Sequence, residues 1–376
     1  MKIKKIAALG AAVGLVLSGV AFASSASAEP VSNSYAVVGS DTLQDSMNAL
    51  TNGTNVSGSF VRILAGGKSV GNFDAFGSAA IQTKPGGVFF ARPNGSGSGR
   101  DALRASVSGA NWSVANNSTP ARAITNQVDI ARSSSGPGTN ANANGRLLYV
   151  PFGRDGMAYA YKGGTAAWAN LTAAQLKSIY DGTLTSIDGV PVTPRLPQAG
   201  SGTRTFFLNA IGYSGSAPTA PAVNDTGNVT PENDATVLGD NQIIPFSVAN
   251  WVAQANNVSG VNTVAAAPTV ALGSPVAGQV PYTGTAPNLI PSTAYYADTT
   301  FGRDTYLIVE RAKVQSSFTY TGSPAYDPVL AGLVDSSKVT SLTNFSTSPF
   351  APGSVKRKFG FLAPSSSTPI AAYAAG

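Results

Sequence analysis

A recurring unit constrains the fold of this chain most: a short β-branched or apolar run, a Gly/Ser turn, then apolar residues at helical spacing. Ser34-Tyr-Ala-Val-Val-Gly39 reads as a buried strand that passes through Ser40-Asp41-Thr42 into Leu43, Met47 and Leu50. Ser59 to Leu64 and Gly87 to Ala91 read as further strands. The second leads through Asn94-Gly-Ser-Gly-Ser-Gly99 into a helical pattern from Asp101 to Val107. Val128 to Ala131 closes on Arg132-Ser133-Ser134, and Leu147 to Val150 and Met157 to Tyr161 flank the turn Phe152-Gly-Arg-Asp-Gly156. Thr172-Ala-Ala-Gln175 is a capping box opening a helix with Leu176 and Ile179. Gly200-Ser-Gly-Thr-Arg204 precedes a helix with Phe206, Phe207, Leu208 and Ile211, and Thr305 to Val309 is a strand. Strands alternating with helices across Gly/Ser turns predict an α/β class built on an open sheet. Such sheets take ligands beyond the carboxyl ends of their strands.

The chain has 376 residues. Lys2, Lys4 and Lys5 precede an apolar run from Ile6 to about Ala23, and Ala26-Ser27-Ala28 offers the small residues a signal peptidase requires. A membrane anchor is the other reading of that run; the small-residue site and the polar sequence after Glu29 favour cleavage. The expectation is a signal peptide over residues 1–28 and a secreted, periplasmic or cell-wall location. No Cys exists to carry a lipid anchor. The remaining length exceeds the usual single core and predicts two domains.

Absences narrow the function. The chain has neither Cys nor His, which removes disulfides, thiolate chemistry, the Ser-His triad and most zinc or copper sites. No Asp-x-Asp-x-Asp-Gly loop is present, so no metal and no cofactor is expected. The leader takes three of 24 basic residues, leaving 21 against 18 acidic ones with no Lys/Arg run, so a nucleic-acid partner is not expected. A hydrolase would have to work with carboxylates. Asp225, Glu232 and Asp234 are the only acidic cluster to consider, and their Pro-, Gly- and Asn-rich surroundings place them in a solvated loop. Trp112, Trp168 and Trp251 read as packing residues, and Tyr295, Tyr296, Phe318 and Tyr320 as strand residues. No internal repeat is discerned.

Four turns share one chemistry: Gly39-Ser40-Asp41-Thr42, Gly95-Ser96-Gly97-Ser98-Gly99, Arg132-Ser133-Ser134-Ser135 and Gly200-Ser201-Gly202-Thr203-Arg204. A helix's first turn has N–H groups without intrahelical partners and carries partial positive charge. Glycine lets the backbone approach a ligand, hydroxyls add donors, and an Arg adds charge, so an oxyanion can be held there. Each turn alone is ordinary helix capping; four in one chain point to an anion site.

The order of these motifs, together with Leu171-Thr-Ala-Ala-Gln-Leu-Lys-Ser-Ile-Tyr-Asp-Gly182, resembles the substrate-binding protein of the phosphate ABC importer over residues 34–310. The resemblance implies a two-lobed, periplasmic-binding-protein-like (type II) fold with two crossovers and a ligand cleft between the lobes. Lobe one would be 29–154 plus 305–376, and lobe two 155–304. It implies a monomer that binds inorganic phosphate or a similar oxyanion and delivers it to importer membrane subunits, with no catalysis. Anion contacts would come from Ser40, Asp41, Thr42, Ser96, Gly97, Ser98, Arg132, Ser133, Ser134, Ser201, Gly202, Thr203 and Arg204. Two positions depart from the family: Ser134 stands for an Asp that accepts the proton of hydrogen phosphate, and Pro197 for an Arg. Asp41 and Arg132 are the candidate replacements. The alternative role is a secreted or wall-associated binding protein of the same fold, with another ligand or a protein or polymer partner.

Overall fold

The computed structural model describes residues 35–213, 218 and 230–374; the signal peptide expected over residues 1–28 and Asp225 lie outside them. A mixed sheet forms the centre. Its order runs Thr193–Pro194, Gln242–Ser247, Leu147–Lys162, Gly302–Glu310, Ile130–Ser133, Tyr35–Gly39, Val70–Asn72. Tyr35–Gly39 lies parallel to both its neighbours, whereas Gly302–Glu310 runs antiparallel to Ile130–Ser133 and to Leu147–Lys162.

Alternate residues of these strands point to opposite faces, and each face has its own core. Val37, Ile130, Leu307 and Leu50 meet on one side, and Val38, Ala131, Ile308 and Leu103 on the other. Beyond Gly156 the same long strand serves two more clusters. One holds Trp168, Leu176, Phe207 and Ile243, the other Ile244, Phe246, Trp251 and Tyr295. Four clusters in two pairs, linked through the strands Leu147–Lys162 and Gly302–Glu310, make the fold two-lobed and α/β.

Local signals behave as the sequence predicts where the chain is self-sufficient. Thr172 accepts from the Gln175 amide and the Gln175 side chain accepts from the Thr172 amide, completing the capping box of the helix Ala173–Asp181. Ser201 caps the helix Gly202–Ala210 through the Arg204 amide. Several expected strands are not strands. Residues 59–64 make one isolated bridge, Thr54 to Val61, and the Ile63 amide bonds Leu50 O, so the segment packs on the helix Gln44–Asn52 instead of joining the sheet. Tyr295 and Tyr296 sit buried in the short helix Thr293–Ala297, and Phe318 and Tyr320 lie in irregular backbone. Aromatic content alone does not separate a strand from a buried turn of helix.

The pairing of Gly302–Glu310 with Leu147–Lys162 shifts register between Thr305 and Tyr306, opposite Gly153 and Pro151. Phe152, bulged out by the shift, gives its carbonyl to Lys356 Nζ at 2.7 Å, which also donates to Leu342 O at 3.1 Å. Lys356 is fully buried, and burial pushes its pKa well below the ordinary lysine value. The unfolded chain therefore binds a proton that the folded chain has lost over the interval between the two pKa values. Stability must rise with pH there, toward the unfolded value of about 10.5. Urea unfolding at pH 7 and pH 9.5 checks this: Lys356→Met should flatten the rise, and an unchanged slope in that variant would assign it to another group.

Candidate anion site

The turn after Tyr35–Gly39 and the N-terminus of Gly202–Ala210 converge from the two lobes on one carboxylate, that of Glu232. Its Oε1 accepts from Ser40 Oγ (3.2 Å), from the Thr42 amide (3.1 Å) and from Thr42 Oγ1. Its Oε2 accepts from Ser201 Oγ and from the Thr203 amide (3.3 Å). The Glu232 amide donates to Asp41 Oδ2 at 2.9 Å. Glu232 is 1% exposed, which corrects the expectation of a solvated acidic loop. The loop is pinned by the Gln198 amide on Thr230 O and by Gln254 Nε2 on Asn233 O. Asp234, by contrast, is half-buried and caps the turn Ala235–Val237.

A second buried pair stands behind these donors. Arg303 binds Asp155 through Nε (3.1 Å) and Nη2 (2.8 Å), and Nη2 also donates to Thr203 Oγ1 at 2.9 Å. Asp155 Oδ1 accepts from the Ala249 amide, the first turn of Val248–Ala255. Burial raises the Asp41 carboxyl well above its ordinary pKa, and the Glu232 charge pushes it the same way. For Glu232, burial pushes upward too, but the Asp41 hydrogen bond, the Arg303 charge and the Ser201 and Thr42 hydroxyls outweigh it and hold the group below the usual range.

The other anticipated residues divide into two groups. Ser96, Ser134, Gly97 and Gly202 line the seam between the lobes. Ser96 Oγ accepts from the Ser134 amide (2.9 Å), the Gly97 amide donates to Gly200 O (3.0 Å), and Thr42 and Thr203 hydroxyls touch at 3.2 Å. A Cβ at Gly202 would lie 2.3 Å from Ser96 Oγ and 2.5 Å from Ser134 Oγ. The second group turns away from the carboxylate. Ser98 donates to Asn94, Ser133 to Ser135 O, and Arg204 to Pro197 O. Arg132, fully buried, spends its guanidinium on Ser40 O (2.8 Å), Gly39 O (2.9 Å) and Asn72 Oδ1. It braces the first turn from behind, so the cation beside the donors is Arg303.

Arg303 and Asp155 escape the sequence reading, and Glu232 enters it only as part of an acidic cluster expected in a solvated loop. For the first two a signal exists: Phe152-Gly153-Arg154-Asp155 recurs as Phe301-Gly302-Arg303-Asp304. The two copies pair antiparallel, with Arg303 opposite Asp155 and Asp304 opposite Arg154, and each copy's Arg binds the other's Asp. That short repeat corrects the expectation of none.

A family model described as the PBP superfamily domain matches residues 76–319. The chain belongs to that superfamily. No curated protein sequence matches it. Among solved structures, this PBP-superfamily chain is similar to a phosphate-binding protein from Stenotrophomonas maltophilia, at 14% identity over 88% of this chain and 91% of that one, TM-score 0.47. It is also similar to an ABC-type phosphate transport receptor from Vibrio cholerae, at 17% identity over 75% of this chain and 89% of that one, TM-score 0.42. A third is a substrate-binding protein with bound phosphate from Clostridium perfringens, at 14% identity over 79% and 91%, TM-score 0.43. These likenesses are remote.

Proposed function

We propose that the chain is an extracytoplasmic solute-binding protein that takes phosphate or a related oxyanion between its lobes and hands it to an ABC importer. The observation carrying this reading is the cradle itself. Hydroxyl and amide donors from both lobes converge on two carboxylate oxygens, with a buried Arg303 behind them. Neutral donors and helix N-termini suit a small oxyanion, and membership of the PBP superfamily fits a closing cleft. The motif order around Ser201-Gly202-Thr203 names phosphate among such anions. Asp41, whose Oδ1 is buried without a partner among the described residues, takes the proton-accepting role that Ser134 cannot fill. We read lobe one as 29–154 plus 305–376, lobe two as 155–304, and the mature protein as a secreted or periplasmic monomer. Among the described residues no helix is long and apolar enough to cross a membrane.

Calorimetric titration of the mature protein with phosphate, with sulfate as control, tests this. Phosphate should bind with a micromolar or tighter Kd and sulfate more weakly, because sulfate brings no proton to Asp41. If phosphate gives no heat with the wild type or with a variant lacking the Glu232 carboxylate, the reading fails.

A further inference from the structure

We propose that the Glu232 carboxylate is a tethered competitor of the oxyanion: it fills the cradle, draws the two lobes together, and leaves when the anion enters. This deepens the oxyanion reading above and rests on it.

Three observations carry the inference. First, the donors engaged are the ones an oxyanion would use. Ser40 and Thr42 come from one lobe, Ser201 and Thr203 from the other, and one side chain collects all of them. A carboxylate is a planar oxyanion, so it completes part of a tetrahedral ion's contacts. Second, the match is incomplete. Arg303 Nη1 and Asp41 Oδ1 are buried without hydrogen-bond partners among the described residues. A buried donor or acceptor left unmade destabilises. A tetrahedral hydrogen phosphate has two more oxygens and a proton to offer. Third, the tether is built in. Thr230 and Asn233, on either side of Glu232, are held by Gln198 and Gln254, whose positions lie in the second lobe. Among the described residues, the Glu232 amide, on Asp41, and the Glu232 carboxylate are this loop's hydrogen bonds to the first lobe. The side chain can rotate out while its backbone stays anchored, so the competitor remains at high effective concentration.

The consequence is a weakened, gated affinity. Only the fraction of molecules whose cradle is free can accept the anion, and the apparent Kd rises by the reciprocal of that fraction. It also predicts lobes held closed by the protein's own carboxylate.

Glu232→Gln keeps the shape and removes the charge; Glu232→Ala removes the group. Titrated with inorganic phosphate at pH 7, both should bind at least tenfold tighter than wild type. Adding Ser201→Ala and Thr203→Val to Glu232→Gln should abolish the gain. Small-angle scattering supplies a second readout that does not need tight binding. Without phosphate, Glu232→Ala should have a larger radius of gyration than wild type, and phosphate should restore the compact value. Equal phosphate affinity in all three proteins would overturn the competitor and leave the oxyanion site standing. Weaker binding in Glu232→Gln would make Glu232 part of the ligand's own shell and overturn it as well. No binding by any of them, with circular dichroism unchanged, would overturn the oxyanion reading and the competitor together.

Discussion

Asp155→Asn should destabilise the protein by about 3–5 kcal/mol, the usual consequence of stranding one member of a buried ion pair. Asp155 and Arg303 are 0% and 1% exposed at their side chains, so water cannot replace the lost charge. The substitution removes the acceptor of two guanidinium bonds and leaves Arg303 with Thr203 and Thr42 as its remaining hydroxyl neighbours. Asn can still accept from the Ala249 amide, so helix capping survives and the loss reports on the charge. Urea unfolding at pH 7 measures it. Arg303→Met combined with Asp155→Asn should lose less than the two single variants together, because the second change removes the orphaned cation. A loss under about 1 kcal/mol in Asp155→Asn would mean that the pair is screened as a surface bridge is.

The parts of this fold legible in the sequence are those that a few consecutive residues decide. Val37, Leu43, Met47 and Leu50 announce a strand, turn and helix, and the Thr172–Gln175 capping box announces a helix start, because their partners lie within one turn. The donors at Ser40, Thr42, Ser201 and Thr203 belong to this class: a hydroxyl at a helix N-terminus is visible locally. Segment 59–64 alternates in burial as a strand would, with Val61 and Ile63 inside and Phe60 and Leu64 exposed. Its backbone partner is a helix end, and only tertiary structure reveals that. The charges at the site are long-range. Arg303 meets Asp155 across 148 positions and Glu232 meets Thr42 across 190, and an acidic residue in a Pro-, Gly- and Asn-rich stretch gives no sign of burial. The Phe-Gly-Arg-Asp repeat was the one local trace of the first pair. Its meaning depends on the antiparallel register, which pairs each copy's Arg with the other's Asp.

Gly202→Ala should weaken phosphate binding by about 100-fold, roughly 2.7 kcal/mol, without unfolding either lobe. Gly202 opens the helix Gly202–Ala210, where alanine is intrinsically the better residue by about 1 kcal/mol, so the second lobe has no local reason to suffer. The obstacle lies across the seam. The new methyl would sit 2.3 Å from Ser96 Oγ and 2.5 Å from Ser134 Oγ, both groups of the first lobe. Those hydroxyls are tied to each other and to the Ser134 backbone amide, so neither can rotate away without breaking that network. The lobes must part by a few tenths of an ångström or more, and the separation falls on the contacts that bridge them. Ser201 and Thr203 move off as a unit from Ser40 and Thr42, so an anion seated by one set is left short of the other. A binding site shared between rigid halves loses affinity steeply under such a displacement, whereas a site built on one lobe would lose none. Calorimetry separates the two cases, and unchanged phosphate affinity in folded Gly202→Ala would place the anion somewhere other than this seam.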